Sequence, residues 1–275
     1  MSDTRPDLPE FERPPVSEVA LSIQFEPISD FRIAHVGLLW RALREKYPLT
    51  QEQATIDPTI ERFDKKPEEQ AQGVQFQLLT RPPVRVWFLT ADQSRIVQVQ
   101  HDRFVRNWRG DGEHYPRYER LRDDLKEDYV TFKSFLDQEK LGIPRTTQGE
   151  ITYVNQIVAD ETWDSHGDAH KVFQVCSLPT AEKEPALEDF GFALRYVIPD
   201  KKGTPVGRLY VTVGSAFRKT DEKPVFVMKL IARGRLNEEG EGAVFGFHEL
   251  GREWIVRRFA ALTTPEMHRI WGREK

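Results

Sequence analysis

The pattern of apolar residues predicts a mixed α+β protein with two consecutive antiparallel sheets, each packed by its own long helix. Three observations carry this. Short runs with two-residue alternation come in groups separated by turn-forming residues, as hairpin-connected strands do. Two longer stretches, one around residues 118–136 and one around 250–262, repeat apolar residues at steps of three and four. Finally, the order strand, helix, three strands, helix is followed by strand, irregular insert, three strands, helix, which suggests a degenerate duplication without a residue-level repeat.

Residues 1–14 are polar and Pro-rich and read as a flexible arm. Val19, Leu21, Ile23 and Phe25 alternate with Glu18, Ala20, Ser22 and Gln24, the period of a strand with one buried face. Pro27 ends it. Val36, Leu39, Trp40, Leu43 and Tyr47 then mark a helix over about 31–47, stopped by Pro48. Residues 57–73 lack apolar periodicity and read as an exposed connection. Strands are expected at Val74–Leu79, Val84–Thr90 and Ile96–His101, with turns at Arg81-Pro82-Pro83 and Ala91-Asp92-Gln93-Ser94. Tyr118, Leu121, Leu125, Tyr129, Phe132 and Leu136 form the stripe of a long helix that Gly142 and Pro144 terminate.

The second cycle begins with Ile151, Tyr153 and Ile157, crosses an irregular stretch over 159–189, and reaches strands at Phe190–Ile198, Arg208–Arg218 and Val225–Leu236. The last of these is apolar on both faces, which places it between layers or subunits. A helix carrying Leu250, Trp254, Ile255, Phe259 and Leu262 follows, and Thr264 before Pro265 starts a short terminal helix. A chain of 275 residues lies near the size at which one core gives way to two. The predicted division is an N-terminal α+β subdomain over 15–147 and a C-terminal one over 148–275.

Forty Lys plus Arg against forty-four Asp plus Glu leave a net charge of -4, so no global field favours a polyanion. The single cysteine, Cys176, excludes an internal disulfide and a cysteine-based zinc site and fits a reducing compartment, so a cytoplasmic location is expected. Cys176 itself reads as a small buried apolar residue. The N-terminus lacks the apolar core of an export signal. The longest apolar runs break at Lys229, well short of the roughly 18–20 residues that cross a bilayer, so no membrane is expected among the partners.

Several stretches resemble a family of sporadically distributed bacterial proteins of about 250 to 280 residues without an assigned function. They are Pro14 to Val19, Val97 to Phe104 followed by Asn107-Trp108-Arg109, Tyr115-Pro116-Arg117-Tyr118, His248 to Phe259, and Leu262 to Glu266 with Trp271. The resemblance spans both halves and implies a bacterial accessory protein of the kind used in defence or toxin control. It brings no catalytic residues.

Candidate chemistry is sparse. Asp164, His166, Asp168 and His170 form the most metal-like stretch, yet Gly167 argues against the helix that would align the two histidines. Arg95, His101, Arg103, Arg106 and Arg109 interleave with Phe104 and Trp108, a composition able to track phosphates and stack bases. It equally suits core aromatics with arginines reaching for water. Pro199-Asp200 with Asp221-Glu222-Lys223 spells a metal-nuclease signature, but its second part reads as a turn. Asn237 to Gly242 is too acidic for a phosphate loop, and Ser215 lacks the second glycine of a nucleophile elbow. No catalytic residue and no cofactor is therefore assigned. The leading expectation is a non-catalytic interaction or regulatory protein with a protein partner or a homodimer interface; the alternatives are an enzyme or binder acting on nucleic acid or nucleotides, and a small-molecule sensor.

Overall fold

Alternation along the first strand sets the architecture, because it sends Val19, Leu21, Ile23 and Phe25 to one face and Glu18, Ala20, Ser22 and Gln24 to the other. The computed structural model describes residues 8–63, 84–110, 114–176, 185, 187–236 and 240–274. Its first half contains β1 (Val16–Phe25), α1 (Ile33–Leu43), β2 (Leu49–Gln53), β3 (Arg85–Leu89), β4 (Arg95–Gln100), β5 (Arg103–Arg109) and α2 (Tyr118–Gln138). The second contains β6 (Thr146–Val158), the short α3 (Ala169–Val172), β7 (Phe192–Pro199), β8 (Pro205–Phe217), β9 (Pro224–Gly234), α4 (Glu241–Leu262) and α5 (Pro265–Ile270).

The mixed α+β class is as expected, but the two separate sheets are corrected. Among the described residues there is one nine-stranded antiparallel sheet, ordered β2-β3-β4-β5-β1-β6-β9-β8-β7. β1 and β6 pair through Val19↔Tyr153, Leu21↔Ile151 and Ile23↔Gly149, which joins the halves. Two independent sheets would each leave an opening strand as an unpaired, half-apolar edge, and pairing the two removes both edges. Residue 147 accordingly lies inside β6, beside a strand of the first half. The order on either side of this seam is alike: the opening strand is central and the last meander strand is its neighbour.

Other segments differ from expectation. Residues 8–14, read as part of a loose arm, instead dock, with Phe11 buried edge-on against Phe259 at 5.6 Å and bridged to Arg273. β2 and β5 were not anticipated as strands. The strand expected at 74–79 lies outside the described residues, as do residues 1–7. Of the connection expected over 57–73, residues 57–63 cross the sheet with the Glu61 carboxylate buried, while 64–73 lie outside the described residues. β9 is an interior strand between β6 and β8.

Helices α2 and α4 cover one face of the sheet. Arg122 to Glu249, Lys133 to Glu241 and Arg252 to Glu119 link them as antiparallel neighbours. α4 sits close because Gly149, Gly234 and Gly207 are paired across β6, β9 and β8 and leave a trough beneath it. A Cβ at Gly207 would press into the Phe247 ring and lie 2.7 Å from the Arg233 carbonyl. α2 is tied down by charge. Arg106 on β5, 1% exposed at its side chain, donates to Asp124 at 3.0 Å and to Asp128 at 3.1 Å, and Tyr47 donates to Asp128 at 2.5 Å. Burial, with Asp128 alongside, raises the Tyr47 pKa despite the opposing pull of Arg106.

Two outcomes follow from this packing. Gly207→Ala should destabilise the fold by about 1–3 kcal/mol, read as a lower urea midpoint with an unchanged slope. His248 on α4 reaches the Ser22 carbonyl at 2.9 Å, and burial pushes its pKa down to about 4. Its unfolded value is about 6.5, so the unfolded chain binds the extra proton between these limits. Wild type should therefore lose on the order of 3 kcal/mol more than His248→Gln as pH falls from about 6.5 to about 4, with no further loss from this group below. Equal losses in both chains would contradict the assignment.

Candidate functional site

The seam is also the floor of a cavity of about 300 Å³. It is floored by Val16 and Tyr153, with Asn155 paired opposite Val16. One wall is the first turn of α2, with Tyr118 and Glu119; the other is α4, with Arg252, Ile255, Val256 and Phe259. Pro9, Glu10, Phe11, Pro14 and Tyr115 form a partial roof.

Local backbone geometry builds this roof. Arg117, the residue before α2, has φ 66° and ψ 157°, a conformation an L side chain adopts at a cost of about 1–3 kcal/mol. It turns the chain so that Tyr115 and Tyr118 both line the cavity, and its guanidinium donates to the Phe11 carbonyl at 2.9 Å, holding the arm down. The Pro116 ring restricts Tyr115 to an extended conformation. The Tyr115 ring then packs on Trp108 at 5.5 Å, and its hydroxyl meets the Tyr153 hydroxyl at 2.9 Å.

The lining is rich in donors. Burial raises the Tyr115 and Tyr153 pKa values, and pairing with Tyr153 raises that of Tyr115 further. Tyr118 is raised by burial and then by the Glu249 carboxylate, which stands near it without forming a well-aligned hydrogen bond. Phenols held protonated in this way donate hydrogen bonds and are poor bases or nucleophiles, so the arrangement suits recognition more than proton abstraction. The Arg252 guanidinium lies over the Tyr118 ring at 4.9 Å and 3.7 Å from Glu119. The Tyr118 hydroxyl and Arg252 Nε are both buried without a hydrogen-bond partner. In native proteins such groups are few, and each calls for a specific explanation.

The residues anticipated from sequence are placed elsewhere. Alternation along β5 puts Arg106 and Trp108 on the helix face, in the core, and Arg103 and Arg109 on the opposite face. Arg103 pairs with Asp102 at 3.0 Å and Arg109 with Glu18 at 3.1 Å, while Arg95 reaches Asp124 at 3.6 Å. His101 occupies the β4–β5 turn. The four arginines are therefore divided between the two faces of the sheet, each in an ion pair. His166 is buried against the carbonyls of Ala216 and Val225, Asp168 pairs with Lys171 at 2.8 Å and accepts from the Asp164 amide, and His170 is exposed. Among the described residues no group of three or more His, Cys, Asp or Glu side chains could hold a metal ion. The nuclease-like acids are separated by the length of β8, because Asp200 and Asp221 lie in the turns at its two ends, about 40 Å apart.

Sequence reasoning missed the cavity because its residues come from five distant stretches. The available signal was Tyr115-Pro116-Arg117-Tyr118, two phenols around a proline at a helix start, together with Arg252 between the buried Gly251 and Ile255. No family model, no curated protein and no solved structure matches this chain.

The cavity yields a stability test. Tyr118→Phe removes a hydroxyl that has no partner, so thermal stability should stay level or rise. Tyr115→Phe removes the bond between the two phenols, leaving the Tyr153 hydroxyl with the Arg252 side chain, and should cost about 0.5–1.5 kcal/mol. Calorimetric melting of the two variants distinguishes them.

Proposed function

We propose that this protein is a non-catalytic small-molecule binding protein, a sensor whose ligand occupies the cavity over the β1–β6 seam. The observation that carries this reading is a 300 Å³ cavity lined by three phenols, Tyr115, Tyr118 and Tyr153, together with the Arg252 side chain. That volume lies at the small end of ligand pockets. Val16, Leu230, Ile255 and Phe259 offer an apolar wall, while the phenols and the guanidinium offer donors. The complementary molecule has a compact apolar or aromatic body and an acceptor group such as a carboxylate or carbonyl.

The signal would leave through the walls. The cavity touches α2, α4 and the arm at once, so a bound molecule bridges all three and adds to the half-exposed ion pairs between α2 and α4, each worth about 0–1 kcal/mol. The resemblance to sporadically distributed bacterial proteins supports an accessory role for such a sensor, in defence or toxin control.

Benzoate, 4-hydroxybenzoate, phenylacetate and indole-3-acetate are suitable probes for calorimetric titration and thermal shift. A fitting acid at about one hundred times its Kd should add about 2.7 kcal/mol of stability. Arg252→Met should abolish this gain while retaining the fold. Equal shifts in wild type and Arg252→Met, or no shift with any of the four acids, would count against the proposal.

A further inference from the structure

The face of the sheet opposite the helices is polar. A row of paired residues, Arg85, Gln100, Arg103, Gln24 and Gln148, runs across β3, β4, β5, β1 and β6. Over it lies the segment 54–63, which crosses from β3 to β8 perpendicular to the strands. Six strand spacings amount to about 29 Å, and the eight residue steps from 54 to 62 reach about 27 Å when fully extended, so the segment runs almost straight and the long Arg85 and Arg208 side chains make up the difference at its ends.

Sheet side chains hold the backbone of this strap. Arg85 donates to the Ala54 carbonyl at 3.0 Å. The Gln100 amide accepts from the Ile56 N–H and donates to the Ile56 carbonyl, both at 2.9 Å. The Gln148 amide donates to the Thr59 carbonyl and accepts from the Glu61 N–H at 3.2 Å. Arg208 donates to the Arg62 carbonyl at 2.7 Å. One strap side chain is sunk into the sheet. The Glu61 carboxylate, 3% exposed, accepts from Arg208 at 2.5 Å, from Tyr210 at 2.9 Å and from Arg233 at 3.4 Å. By contrast Ile56, Ile60 and Phe63 are each more than a third exposed, so little apolar burial secures the strap.

We propose that this face is a peptide-binding surface, occupied in cis by residues 54–63, that accepts an extended peptide of another polypeptide with a glutamate seated between Arg208, Arg233 and Tyr210. The chemistry selects a peptide. Each glutamine amide turns one N–H and its carbonyl oxygen to the strap, the complement of a backbone C=O and N–H, and a nucleic-acid backbone has no such alternation. The cradle selects a carboxylate through two guanidiniums and a phenol. Because the strap is read mainly through its backbone, a second peptide can replicate nearly all of its contacts, and the strap's advantage is the effective concentration of a tethered segment. This surface is separate from the cavity, and neither reading depends on the other.

The test uses the full chain with Glu61→Gln, which weakens the strap's anchor, and a labelled synthetic peptide spanning residues 54–63 followed by fluorescence anisotropy. The peptide should bind the variant at least tenfold more tightly than wild type. Its own Glu61→Gln form should bind at least tenfold more weakly, and Arg208→Met added to the variant should abolish binding. A second variant, with residues 54–63 replaced by Gly and Ser at equal length, should bind the peptide more tightly still. The proposal is overturned if both variants fold but do not bind, if binding ignores the peptide's glutamate, or if single-stranded oligonucleotides displace the peptide. Failure of both variants to fold would overturn it too, because the strap would then be an integral part of the fold.

Discussion

Pairing of β1 with β6 is the constraint on which the rest of the structure depends. Each opens its half of the chain, and each lies at the centre of the sheet with its last meander strand alongside, β5 beside β1 and β9 beside β6. Joining them creates one sheet wide enough to carry two antiparallel helices on one face. The cavity lies over the seam, bounded by the two helices and the arm. The same continuity lets an extended strap span the opposite face. Both candidate surfaces therefore arise from a join between halves.

The two faces are stabilised by different physics. The helix face buries Leu21, Ile151, Ala232 and Leu209 in one paired row, and at roughly 25 cal/mol per Å² such burial supplies most of the driving force. Arg106 stands in the same row, opposite Leu21. Desolvating it is tolerable only because Asp124 and Asp128 meet it, and removing one side of such a cluster typically costs about 3–5 kcal/mol. The cluster thus fixes α2 over β5 in one register and recruits α1 through Lys46 and Tyr47. The strap face relies on side-chain amides and guanidiniums instead, with the buried Glu61 carboxylate as its anchor.

How far the sequence predicts the molecule follows from this contrast. Where apolar and polar residues alternate cleanly, as at Val19 to Phe25, or apolar ones step helically, as at Leu121, Leu125 and Phe132, the elements are readable, and Thr264-Pro265 marks the last helix, where the Thr264 hydroxyl accepts from the Met267 amide. β5 escapes because Arg106 sits on its buried side and turns an alternating strand into an apparent basic patch. The paired acids Asp124 and Asp128, inside the apolar stripe of α2, were the clue to a buried cation. The strap escapes because it has no apolar period; its order comes from Gln100, Gln148 and Arg208, more than forty residues away. The seam escapes because local patterns state that β1 and β6 are strands but not that they are neighbours.

Native-state hydrogen exchange across the seam tests this account most directly. If β1 and β6 hold the molecule together, the amides of Val19 to Ile23 and Ile151 to Asn155 should exchange only through global opening, with one shared free energy equal to that from denaturant unfolding. Distinct opening energies on the two sides, with the seam amides exchanging at the lower one, would mean that the halves fold separately and that the sheet is not a unit.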